Sequence, residues 1–191
     1  MSVFSKTNPV GVDIPVQRHQ NFLYPELKAV WGINDDTSWD SYGRAYRNQT
    51  ADGYVPEVFI GTGNQAAQAD YKEVLFDDQL KALSFYGMDE AARYNTGNAN
   101  VGIFLVFMVN VQELKPAITW RGDEEIRNDV EKIVQIGRFG MELTGFITGI
   151  DQVFKEYSGW RKGQGIKFRD MHPTHCFRLN FNLLFDINEC Y

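Results

Sequence analysis

The stretch Asp170-Met171-His172-Pro173-Thr174-His175-Cys176 gathers a carboxylate, two imidazoles and a thiol, the side chains from which a nucleophilic or metal-assisted site is built. Its spacing argues for something plainer. His172 and His175 lie three apart around Pro173, at a turn and not on one helix face, so the two-histidine pattern of a metalloprotease helix is missing. Cys176 opens an alternating run and belongs to a strand. The expectation is a turn entering a strand, with histidines that make hydrogen bonds. A small hydrolase or metalloenzyme using Asp170, His172, His175 and Cys176 is the alternative.

Two further groups carry charge in a pattern. Asp123-Glu124-Glu125 could gather a metal ion, but acidic residues are also what the positive end of a helix favours in its first turn, and that reading is preferred. With Arg127, Asp129, Glu131 and Lys132 they form a charged outer face, solvated or complementary to a partner subunit. Ser158 to Lys167 reads as a basic, glycine-rich loop holding Trp160, Arg161 and Lys162. Such a loop suits a phosphate backbone or a reach into a neighbouring subunit, and it lacks the ordered spacing of a nucleotide-binding loop. No Gly-x-Ser-x-Gly or Cys-x-x-Cys occurs, and no Gly-x-Gly-x-x-Gly lies between strand and helix.

The elements that must position these residues centre on Val101 to Gly137. Val101–Val109 is almost wholly apolar, as expected of a strand covered on both faces. A helix then runs from Asp123 to Gly137, with Ile126, Val130, Ile133 and Val134 at i, i+4, i+7 and i+8 as the stripe that lies on the sheet. Upstream, residues 1–12 read as an extended arm, ordered only where a neighbour holds it. Asp13 to Trp31-Gly32 reads as a helix that Pro25 kinks or splits. Residues 42–60 read as a hairpin turning at Asp52-Gly53, 61–69 as a flexible loop, 71–76 and 83–88 as strands. Residues 146–150 look like strand, and 175–187 alternate Cys176, Arg178, Asn180 and Asn182 against Phe177, Leu179, Phe181 and Leu183. That alternation implies one buried and one wet face. The fold expected is α+β: residues 13–191 as one domain, a mixed and mostly antiparallel sheet, with an N-terminal and a central helix packed on one side and long loops.

A chain of 191 residues with 43% hydrophobic and 14% aromatic content can build one substantial core. A net charge of -6 disfavours an outer surface that grips DNA, but suits an acidic channel through which DNA slides. Two cysteines cannot make a disulfide framework, and no stretch reads as a signal peptide or membrane span. The expectation is a soluble chain made in a reducing cytosol. So many aromatic residues without a catalytic pattern suggest a molecule built for contact.

The helix ending in Trp31-Gly32, then Tyr42-Gly43-Arg44-Ala45-Tyr46-Arg47-Asn48, Tyr54-Val55-Pro56-Glu57-Val58-Phe59 and Tyr71-Lys72-Glu73-Val74-Leu75-Phe76-Asp77-Asp78 resemble proteins encoded by phages and prophages of Bacteroidetes-type hosts. Arg121-Gly122-Asp123-Glu124-Glu125 with Val130, and Asp170 to Arg178, are similar too. In size and element order the chain resembles the tail-terminator and neck family of virion proteins. Those are small α+β subunits whose hexameric ring closes the tail tube and joins it to the head. The resemblance implies a non-enzymatic virion protein, assembled in the host cytoplasm, without catalytic residues, cofactor, metal or membrane contact. Its partners would be sister copies, tail-tube and head-connector proteins, and DNA passing the lumen unbound. The residues expected at subunit interfaces are Trp160, Arg161, Lys162, Asp123, Glu124 and Arg127. A stopper or head-completion protein, a tail-tube protein, the small enzyme above and a nucleic-acid-binding module are the alternatives.

Overall fold

The computed structural model describes residues 3–60, 71–74, 79–95, 97–163 and 172–186. In chain order the elements are β1 (Val3–Phe4), α1 (Asp13–Val30), β2 (Trp39–Thr50), β3 (Gly53–Phe59), β4 (Tyr71–Glu73), β5 (Ala82–Asn95) and β6 (Asn98–Asn110). Then come α2 (Val111–Leu114), α3 (Asp123–Ile136), β7 (Met141–Thr148), α4 (Ile150–Val153), α5 (Ser158–Gly163) and β8 (Thr174–Asp186). The architecture is the α+β sheet with helices expected from the sequence. One mostly antiparallel sheet has the order β4-β3-β2-β5-β6-β8-β7, and β1 adds a short parallel pairing to β2.

β6 is inner and apolar because both its faces are covered. Val101, Ile103, Leu105, Phe107 and Val109 pack under α1 and α3, whereas Phe104, Val106 and Met108 pack under α4 and α5. β8 runs beside it through an unbroken register from Asn98↔Asp186 to Asn110↔Thr174, and Phe107 stacks on Phe177 with centroids 5.2 Å apart. The stripe of α3 buries Ile126, Val130 and Val134 against this sheet. α1 runs unsplit through Pro25 and buries Val16, Leu23 and Leu27. Tertiary burial of one apolar side outweighs the lost backbone hydrogen bond at Pro25.

Three sequence expectations need correcting. The N-terminal arm is held by its own chain: Val3 and Phe4 pair with Ser41 and Tyr42, and Phe4 stacks on Tyr42 at 4.6 Å. Lys6 bonds Asp13 and Tyr46, and Arg44 Nε donates to Asp13 Oδ1 at 2.6 Å. Residues 158–163 are helical, not loop, because burial of Trp160 outweighs the poor helix propensity of the flanking glycines. Finally, the polar side of β8 is wet over only half its length, since Cys176 and Arg178 are buried and Asn182 is exposed. The loop expected over 61–69 lies outside the described residues.

α1 also buries a titratable group. His19 has no solvent exposure, shares a 2.7 Å hydrogen bond between Nδ1 and the Tyr86 hydroxyl, and has no partner at Nε2. Burial disfavours the imidazolium and lowers its pKa to about 4. The unfolded chain therefore binds a proton below about pH 6.5 that the folded chain refuses until about pH 4. This contribution is fully present above pH 6.5 and is lost as pH falls through that window, amounting to about 3 kcal/mol. Urea unfolding of the native chain should weaken between pH 7 and pH 4.5 more than that of His19→Gln. Equal slopes in the two chains would show that His19 is not buried neutral.

Candidate functional site

A cleft of about 450 Å³ opens where three elements meet at one corner of the sheet. Asp123 and Glu124 open α3 with Arg121 just before it, Thr148 ends β7 with Gly149 just after it, and His175 comes from the start of β8. Their acidic members sit where the amide groups of the first helical turn favour negative charge. Gly149 has φ of 91°, a conformation open to glycine that turns the chain out of β7, and its N–H donates to the Cys176 carbonyl at 3.3 Å.

Asp123 is the cleft's hub. Its Oδ2 accepts from Arg121 Nε and lies 3.6 Å from His175 Nδ1. His175 is buried and stacks on Phe177 at 5.3 Å, so its ring is fixed on the face that carries α3. A carboxylate beside an imidazole can orient it for proton transfer. Among the described lining residues, Thr148 is the one hydroxyl. Among the described residues no group of three His, Cys, Asp or Glu side chains is placed to hold a metal ion.

The sequence-derived residues fall apart into different places. Cys176 is wholly buried in the core beneath α4 and α5, on the face of β8 opposite His175, because neighbours in a strand point to opposite sides. His172 is exposed, and Asp170 lies outside the described residues. The enzyme alternative required His175 and Cys176 to converge, and they do not. Trp160, expected at an interface, is instead core. It is 1% exposed, stacks on Phe154 at 3.8 Å, and donates its indole N–H to the Val74 carbonyl at 3.0 Å. The side chains of Arg161 and Lys162 lie outside the described part.

The remaining expected interface residues do gather. Asp123 faces the cleft, Glu124 is exposed beside it, and Arg127 bonds Glu124 and stacks 4.2 Å over the Phe146 ring on β7. Phe146 is 48% exposed, and Trp120, with its indole bonded to Glu125, is more exposed still. Sequence reading missed Phe146 and Trp120, although an aromatic residue in the expected strand at 146–150 was a visible signal. It also missed Arg178, a charge in the buried half of an alternating strand.

No protein-family model matches this chain, and no curated protein is similar to it.

Proposed function

We propose that the chain is a non-enzymatic structural subunit of a tailed-phage virion, a tail terminator or adjoining neck protein that works as a homo-oligomeric ring of six. The observation that carries this reading is that, among the described residues, the sheet ends in two unlike edge strands. β4 and β7 each pair on one side only among the described strands, and each presents exposed aromatic side chains: Tyr71 at one end, Phe146 at the other. Unpaired edges are templates for another chain. A subunit with two unlike sticky ends assembles head to tail, and such contacts close into a ring where the rotation allows it.

The motif resemblance supplies the context, a phage neck, with tail-tube and head-connector proteins as neighbours and the neck or tail of the virion as the location. The acidic balance of the chain fits a lumen that passes DNA without holding it. Cryo-electron microscopy of the purified chain, and of phage particles with the chain labelled, tests the proposal. The expected images are closed rings of six alone and a labelled ring at the head–tail junction. A label on the capsid surface, or absence from the particle, would overturn the reading.

A further inference from the structure

We propose that β7 of one copy pairs antiparallel with β4 of the next, carrying the neighbour's Tyr71 side chain into the cleft beside Thr148. The inference rests on the head-to-tail assembly proposed above and names the two surfaces that meet.

Strand direction comes first. β4 is antiparallel to β3, β3 to β2, and β2 is parallel to β5. β5, β6, β8 and β7 then alternate antiparallel, so β7 and β4 run in opposite directions. A neighbour placed with its helices on the same side of the sheet therefore offers β4 antiparallel to β7. No subunit has to be turned over, and an antiparallel ladder is slightly the more stable per residue.

The faces agree as well. Tyr46 reaches toward α1, with its hydroxyl bonded to Arg44 and Lys6, and lies opposite Glu57, which lies opposite Glu73. Tyr71, opposite Phe59, shares that face. On β7, Phe146 and Thr148 lie opposite Leu179 and Phe177 on the face covered by α3. Lys72 and Ile147 belong to the other face, opposite Val58 and Arg178.

One register satisfies side chains on both strands: Thr148 beside the neighbour's Tyr71, Ile147 beside its Lys72, and Phe146 beside its Glu73. Thr148 lines the 450 Å³ cleft, so a tyrosine beside it directs its ring between Arg121 and His175. Glu73 is exposed and faces Glu57 within its own subunit, and partial desolvation together with that neighbouring carboxylate raises its pKa. Placed beside Phe146, it meets the Arg127 guanidinium that lies over that ring. The contact would cover Tyr71 and Phe146, which are 41% and 48% exposed in the single chain. It would also pair both edge strands, each of which pairs on one side only among the described residues.

Cysteine cross-linking tests both the pairing and its register. Directly opposite residues of an antiparallel pair hold their Cα atoms about 4.5 to 5.5 Å apart, within the span a disulfide bridges. In a Cys190→Ser background, Phe146→Cys on one chain and Glu73→Cys on another should give a covalent pair when mixed and mildly oxidised. Ile147→Cys mixed with Lys72→Cys should do the same, which guards against loss of the Arg127–Phe146 stack in the first set. Neither single-variant preparation should cross-link alone. Self-pairing of Phe146→Cys would mean that two β7 edges meet, and failure of both mixtures would mean that the edges do not meet; either overturns the inference. Cross-links with no chain in the particle would leave the strand pairing standing and remove the virion reading. A labelled neck ring without cross-links would do the reverse.

Discussion

Replacing Trp160 with alanine is expected to lower the unfolding free energy by about 4 kcal/mol, the order seen when a large aromatic side chain is removed from a packed core. The ring lies nearly parallel to Phe154, 6° from it at 3.8 Å, and its N–H is the donor to the carbonyl of Val74, just after β4. Alanine loses the stacking area and leaves that carbonyl without its indole partner. The same side chain explains why a segment with two glycines is helical, so the loss should include unwinding of α5. Urea denaturation followed by circular dichroism, with both chains at matched concentration, measures the change. An unchanged midpoint with altered particle mass would instead place Trp160 between subunits.

Arg178→Met should cost about 3 kcal/mol, because removing the buried arginine strands the part-buried carboxylate of Glu156 and uncovers the Phe104 ring. The Arg178 guanidinium donates from Nη1 to both carboxylate oxygens of Glu156 at 3.0 Å and from Nε to Asn180 Oδ1 at 2.7 Å. Its Nη2 lies 3.5 Å from Asp89, and its plane lies 3.8 Å over the Phe104 ring. The Phe104 ring also lies against Gly87, where a Cβ would overlap it. The arginine therefore covers a ring that is seated against Gly87, and ties the segment between α4 and α5 to the sheet. Methionine keeps most of the apolar volume, so the expected loss is electrostatic. Adding Glu156→Gln to Arg178→Met should cost almost nothing more, whereas Glu156→Gln alone should be destabilising. Additive losses across this double-mutant cycle would show that the two residues do not act together.

Much of the scaffold was legible in the sequence because its signals are local. The apolar run of β6, the 3.6-residue stripe of α3 and the alternation of β8 each name an element and its buried side. That alternation also carried the fact that separates His175 from Cys176, since adjacent strand residues cannot share a face. The cleft was not legible in the same way. Arg121, Thr148 and His175 come from three segments that only the sheet order brings together, and no spacing rule connects them. The pairing of β1 was hidden because it spans two residues, too few for a periodic pattern. Arg178 defeated the rule that charges mark the wet face, because Glu156 and Phe104 provide for it inside. Trp160 was read by the company it keeps in sequence, two glycines and two cations, whereas its position is set by Phe154 and Val74.

The proposed ring joins copies of the chain through two different ends of one sheet, β7 of one and β4 of the next. Native mass spectrometry of the purified chain measures this directly. The expected species is a discrete assembly of six 21.9 kDa chains that falls to single chains when Glu73→Arg disrupts the β4 end. A homogeneous single chain at every concentration, in the native sequence, would contradict it.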